Sequence, residues 1–144
     1  MVEIVSFDIN TAPYAALERV HSACFTESWD EDTFEAMLTV YGTYGIAITI
    51  NEDLEGFILY RQPFDDTEIL TICITPKKEN QGYGSRLIEN MLQHLKKPGK
   101  CFLEVSPQNI YAVQLYKKFN FEIMHTRKDY YDIGLDAYVM MRDI

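Results

Sequence analysis

Cysteine is scarce in this chain. Cys24, Cys73 and Cys101 are odd in number, far apart and without a Cys-x-x-Cys pair. That excludes a disulfide framework and offers no zinc-ligand spacing, so no metal is expected and the thiols read as reduced and mostly buried. His21, His94 and His125 also lack ligand spacing, which leaves them structural roles. Proline and glycine, at 5 and 7 residues, are too few to build a linker, and there is no internal repeat or low-complexity tract. No apolar run approaches the roughly 18 residues of a membrane helix. The start, MVEIVSFDIN, has an acid at position 3 instead of a basic-then-apolar succession, so the expectation is a cytoplasmic protein without a membrane partner. Positive charge is short too: 13 Lys and Arg against 22 Asp and Glu give −9, which argues against general nucleic-acid binding and for attraction to basic partners.

What is present is a full complement of core-forming residues, 47% hydrophobic with 10 Tyr and 8 Phe in 144 positions. That length gives one domain, 1–144, and no second core. Val2 to Phe7 alternates as a short strand, and Leu17, Val20, His21 and Cys24 recur at helical spacing, predicting a helix over 12–25. Ser28-Trp29-Asp30-Glu31 has the form of a capping box opening a second helix through Tyr41. Residues 44–50, 54–61 and 68–75 are rich in β-branched and aromatic side chains and separated by turn-forming stretches, which predicts three consecutive strands. Leu87, Ile88, Met91, Leu92 and Leu95 make a helical stripe; 100–105 is a strand; Ala112, Leu115, Tyr116 and Phe119 form a last helical stripe, followed by strands at 121–125 and 137–141. The order is βααβββαβαββ, an α/β (α+β) layer fold whose one parallel crossover runs from Thr71 to Glu104.

Between the third of those strands and the next helix lies Asn80-Gln81-Gly82-Tyr83-Gly84-Ser85. A glycine turn feeding a helix start presents free N–H groups and the positive end of the helix dipole, which suits a diphosphate. There is no Lys-Ser/Thr of a Walker A loop and no third glycine of a dinucleotide fingerprint. Preceded by Ile72-Cys73-Ile74-Thr75-Pro76, the turn resembles the acetyl-CoA motif of the GNAT family of N-acetyltransferases, Gln/Arg-x-x-Gly-x-Gly/Ala. The first motif position falls on Glu79, an acid that repels a diphosphate and that Lys77, Lys78 and Arg86 would offset. The resemblance implies acetyl-CoA as co-substrate, held by Asn80 to Ser85 and by the backbone of Ile72, Cys73 and Ile74.

Phe102-Leu103-Glu104-Val105, then Asn109, Ala112, Leu115-Tyr116 and Asn120-Phe121, resemble the RimI-like group within that family, the ribosomal-protein-alanine N-acetyltransferases. Asn120 stands where the group has glycine, and asparagine is the next-best residue for a left-handed helix end. The resemblance is good over roughly residues 67–144 and looser before, where Ser28-Trp29 and the strand pattern carry it. It implies Glu104 as general base, Tyr116 as general acid toward the CoA sulfur, Asn109 as a CoA contact, and direct attack by the amine without a covalent intermediate. By spacing alone, Asn109 and Tyr116 are two helical turns apart and share one helix face.

The acceptor amine is the least constrained feature. An α-amine, with pKa about 8, is largely neutral near pH 7.5, whereas lysine at about 10.4 is almost wholly protonated, a difference of roughly 3 kcal/mol. A glutamate base therefore suits a protein N-terminus. Glu27 and Trp29 before the second helix, with Tyr130, Tyr131 and Tyr138 near the final hairpin, are the candidate acceptor-binding residues. The expected partner is a basic N-terminus such as that of a ribosomal protein, and the expected state a monomer or weak dimer. A small-molecule amine acetyltransferase and a catalytically inactive CoA-binding module remain open alternatives.

Overall fold

A computed structural model describes residues 1–144. The elements are β1 (Val2–Phe7), α1 (Tyr14–Cys24), α2 (Glu31–Thr39), β2 (Thr43–Ile50), β3 (Asp53–Arg61), β4 (Thr67–Ile74), a 3-10 turn (Pro76–Lys78), α3 (Tyr83–His94), β5 (Lys100–Val105), α4 (Ile110–Lys118), β6 (Glu122–Asp132) and β7 (Leu135–Asp143). Apart from that added turn, their order is the one the sequence predicts. The single seven-stranded sheet runs β1-β2-β3-β4-β5-β7-β6 and is antiparallel except at β4 and β5, joined by the α3 crossover. Asn51 and Glu52, both left-handed at φ 51° and 74°, close the β2–β3 hairpin as a two-residue turn.

Helices cover both faces. On one, α3 and α4 bury Leu87, Ile88, Met91, Leu115 and Tyr116 against Ile58, Ile72, Leu103 and Met140; each fully buried aliphatic side chain there contributes about 1.5–3 kcal/mol. On the other, α1 and α2 bury Leu17, Val20, Phe34 and Leu38 against Phe57, Leu59 and Cys73. One sequence expectation fails locally: Ser28 does not cap α2. The helix begins at Glu31, so the cap falls to Asp30, whose Oδ1 accepts from the Thr33 N–H at 2.9 Å and its hydroxyl at 2.8 Å. Aspartate caps as well as serine, and the residue beside the first helical turn takes the role.

The feature that positions the site is a split in the sheet. β4 and β5 pair only at Thr67–Cys101, Glu68–Phe102 and Ile69–Leu103. Immediately beyond, Leu70 is an extra residue in the β3–β4 ladder, because Tyr60 faces Ile69 while Leu59 faces Thr71. Such a bulge bends and twists its strand. Past it β4 stays with β3 as far as Ile74, while β5 stays with β7 as far as Val105–Tyr138. Leu70 to Ile74 thus face β5 without a ladder. The Thr75 hydroxyl, donating to the buried Glu55 carboxylate at 3.3 Å, and the Thr75 N–H, donating to the Glu55 carbonyl at 2.8 Å, pin the end of that free edge.

Candidate active site

The α3 turn is built from backbone. Asn80 and Gly82 both adopt left-handed conformations, φ 62° and 88°, and Gly82 is the N-cap of α3 with no side chain capping the helix. Helical bonding begins only with the Arg86 N–H to the Gly82 carbonyl, so the N–H groups ahead of it are left for a ligand. The two glycines differ in purpose. A Cβ on Gly82 would meet nothing within 4 Å, so its positive φ is what demands glycine. A Cβ on Gly84 would lie 2.6 Å from Tyr111 Oη and 2.9 Å from Leu115, so Gly84 lets α3 approach α4. Tyr83 packs on the main core and the exposed Gln81 donates to the Lys77 carbonyl at 3.3 Å. Lys118, in the last turn of α4, donates to Ser85 Oγ at 3.0 Å. It supplies a cation at the turn that sequence spacing does not reveal, because the contact spans 33 residues.

Beside the turn, a cleft of about 80 Å³ brings together Ile72, Cys73 and Ile74 of β4 with Asn109, Ala112 and Glu79. Burial raises the pKa of Glu79, as expected for an acid facing the cleft. Asn109 is here by a different route from the one its spacing suggests. It is the N-cap of α4, outside the helix, and its Oδ1 accepts from the Ala112 N–H at 3.2 Å, which leaves the amide nitrogen free. Asn120 is left-handed as expected, φ 67°, at the other end of that helix.

Glu104 and Tyr116 flank the split from opposite faces. Tyr116, 4% exposed, belongs to the α3/α4 layer, where burial first, then Cys101, Tyr131 and Cys73, raise its pKa far above the usual phenol range. Glu104 faces the α1/α2 side; its Oε1 accepts from Arg127 Nη1 at 2.6 Å, and that guanidinium lies 4.2 Å above the Tyr130 ring. The Tyr130 phenol is raised chiefly by its hydrogen-bonding proximity to Glu104; Tyr131 is raised by burial and then by Glu104. A register break in β6 between Arg127 and Asp132 turns these tyrosines toward the split, with Gly134 N–H bonded to Asp129 Oδ1 at 2.6 Å in the loop. Tyr138 is placed elsewhere, paired with Val105 and packed on the α3/α4 core.

A second carboxylate escaped the sequence reading. Glu68 stands opposite Phe102, two residues before Glu104 on the same sheet face. Burial raises its pKa; Arg61 beside it lowers it and Glu104 raises it. The alternation Thr67 to Thr71 was its only signal, and the register that brings it to Glu104 is set by the crossover. His21 is likewise at the site's edge. Its Nδ1 accepts from the Trp29 N–H at 3.1 Å and its ring stacks on Trp29 at 4.9 Å, which holds the α1–α2 connection. Burial lowers its pKa to about 4. Glu27 on that connection is exposed. No group of three or more His, Cys, Asp or Glu is arranged to hold a metal ion, and no helix is long and apolar enough to cross a membrane.

The family model described as the Acetyltransferase (GNAT) family matches residues 14–121. A Bacillus subtilis (strain 168) protein, provisionally named a ribosomal protein bS18-alanine N-acetyltransferase, is 32% identical over 126 residues, 84% of this chain and 83% of its own. The Escherichia coli (strain K12) ribosomal protein bS18-alanine N-acetyltransferase is 28% identical over 134 residues, 90% and 87% of the two chains. Among solved structures, the ribosomal-protein-S18-alanine N-acetyltransferase from Escherichia coli superposes with TM-score 0.87 at 24% identity, over 100% of this chain and 94% of that one. Arabidopsis thaliana NAA60 in complex with acetyl-CoA superposes at 0.81 and 17% identity, over 100% and 99%. The shared fold, the family match and the glycine turn beside an unpaired strand edge lead to one conclusion: the chain belongs to the GNAT family and is an acetyl-CoA-dependent N-acetyltransferase.

Proposed function

We propose that this enzyme acetylates the α-amine of a basic protein N-terminus, with the N-terminal alanine of a small-subunit ribosomal protein as acceptor. The observation that carries the reading is the split between β4 and β5, flanked on the α1/α2 face by Glu104 and on the other by Tyr116. Two relatives that bear the name of alanine N-acetyltransferases of ribosomal protein bS18 support it, over more than four fifths of their lengths.

The residues present fit acetyl-CoA. The uncapped start of α3, with Lys118 at Ser85, suits its diphosphate. The free edge at Ile72 to Ile74 suits the amides of the pantetheine arm, which add to it as a strand would. On this reading the thioester lies in the split, its carbonyl within reach of backbone N–H groups near Cys73 and Ile74. The amine arrives from the α1/α2 side, between Trp29 and the Tyr130–Tyr131 pair of β6. Arg127 occupies one oxygen of Glu104 and leaves Oε2 to take the amine proton, directly or through a water. As the C–N bond forms and the C–S bond breaks, charge gathers on sulfur. A phenol held so far up keeps its proton; Tyr116 therefore serves the thiolate first as a hydrogen-bond donor, and proton transfer follows only as far as sulfur's own basicity rises in the same dry place. Glu68, Glu27 and the −9 net charge favour a basic peptide behind the acetylated residue.

The test incubates purified enzyme and acetyl-CoA with an alanine-starting basic peptide, its N-terminally blocked twin and a polyamine, read by mass spectrometry. One acetyl on the first peptide alone is expected. Polyamine acetylation with the free peptide untouched overturns the assignment.

A further inference from the structure

Cys24 is the last residue of α1 and only partly covered, and its thiol reaches across to β4, where it donates to the Ile74 carbonyl at 3.2 Å. Cys73 on that strand is 4% exposed and belongs to the same α1/α2 layer. The two thiols are close enough that each acts on the other's ionisation: Cys73 lowers the pKa of Cys24, while burial first and Cys24 second raise that of Cys73. Both line the cleft beside the α3 turn. The third thiol is a built-in contrast. Cys101 is fully buried in the opposite layer, with its pKa pushed up to about 12 by burial.

This is an asymmetric pair, an accessible thiol backed by an inaccessible one. We propose that Cys24 and Cys73 form an oxidative modification site, in which a hydroperoxide oxidises Cys24 and Cys73 resolves it to an intrachain disulfide in the cleft wall. In the first step the Cys24 thiolate attacks one peroxide oxygen, the O–O bond breaks, and Cys24 becomes a sulfenic acid while the second oxygen leaves as water or alcohol. In the second, the Cys73 sulfur attacks Cys24, the S–O bond breaks, and water departs with the Cys73 proton. Two thiols and one hydrogen peroxide give one disulfide and two waters.

The bond has a structural consequence. A disulfide needs its sulfurs at about 2.05 Å and its Cβ atoms at roughly 3.8 Å, so Cys24 must leave the Ile74 carbonyl and the end of α1 must close on β4. The cleft narrows where Ile72 to Ile74 offer their free edge. The expected loss of acetyl transfer rests on the reading that acetyl-CoA occupies this cleft; formation of the disulfide does not.

Reduced full-length protein is treated with hydrogen peroxide, alkylated under denaturing conditions and mapped by mass spectrometry, with acetylation assayed in parallel. Expected are a linked peptide pair carrying Cys24 and Cys73, lighter by two hydrogen atoms, with Cys101 alkylated throughout, and a loss of activity that dithiothreitol restores. Cys24→Ser abolishes the linked pair, and Cys73→Ser leaves Cys24 trapped as its sulfenic acid, captured by dimedone. Saturating acetyl-CoA, whose sulfur is acylated and cannot scavenge the peroxide as a thiol, slows the oxidation. The proposal is overturned if all three thiols still alkylate after peroxide, or if Cys101 oxidises as fast as Cys24. If the linked pair forms and activity is unchanged, the modification site stands and the placing of acetyl-CoA in this cleft falls.

Discussion

The two halves of the site are made in different ways. The α3 turn is local and made of main chain, with six consecutive residues, two left-handed conformations and one uncapped helix start. The proposed acceptor side is dispersed and made of side chains: Glu104 from β5, Arg127 and Tyr130 from β6, Glu68 from β4 and Trp29 from the α1–α2 link. A backbone cradle tolerates most side-chain changes, because its donors are peptide groups. A side-chain cluster has no such redundancy. Substitutions on the acceptor side should therefore fall on the chemical step, and those at the turn on cofactor affinity.

Glu104→Gln is the largest expected break, lowering kcat/KM by about 10²–10⁴, the range of a general base. It also strips the charge from the Arg127 pair, so Glu68→Gln is the companion that sharpens the comparison. A smaller fall with a displaced acid limb of the pH–rate profile shows Glu68 tuning Glu104. A fall as large as that of Glu104→Gln shows the two carboxylates acting as one unit. Tyr116→Phe comes next, with about 10²–10³ lost in kcat and KM for acetyl-CoA little changed, as when a single donor to developing charge is removed.

The acceptor side also depends on pH through its scaffold. The folded pKa of His21, about 4, lies below its ordinary 6.5, so the unfolded chain binds more protons between those values. The neutral ring's contribution to stability is complete above pH 6.5 and lost as pH falls toward 4, about 2 kcal/mol by pH 5. Urea unfolding at pH 7 and 5 measures this, and in His21→Gln the difference between the two pH values should shrink.

These contrasts explain what the sequence discloses. The element order and the glycine turn are legible because periodicity, breakers and the Asn80–Ser85 spacing are local signals. Glu104 and Tyr116 are singled out by the resemblance, and nothing in their spacing says that they flank a split. Lys118 at Ser85, Glu68 beside Glu104 and Arg127 on Glu104 are not legible: each depends on strand register or helix docking across tens of residues. The Ser28 cap and the Asn109 position in α4 miss for a smaller reason. A cap is chosen by where the helix begins, and a shift of one or two residues reassigns it.

Gly84→Ala tests whether the turn's second glycine serves packing. A methyl group 2.6 Å from Tyr111 Oη and 2.9 Å from Leu115 Cδ2 must displace the ends of those two side chains, at a cost of about 1 kcal/mol of stability, the low end for overpacking. Gly82→Ala, with open space but a φ of 88°, should cost about 1–2 kcal/mol through strain alone and should change the KM for acetyl-CoA proportionally more.

The smallest effect is the most telling about charge. Lys118 is exposed and reaches Ser85 from a different helix, so its pull on a diphosphate is screened by solvent. Truncating it should raise the KM for acetyl-CoA by no more than about tenfold, equivalent to 1.4 kcal/mol, with kcat unchanged, and the effect should fade at high salt. Lys118→Arg should retain most of the affinity, because the requirement is a cation near Ser85. If Lys118→Ala instead lowers kcat without moving KM, the division between a cradle that binds and a side-chain cluster that reacts does not hold. The partly covered Glu79, facing the same cleft, makes the measurement sharper still. Glu79→Gln should lower the KM that Lys118→Ala raises, and in the double variant the two changes should offset one another, since both act on the same negative charge.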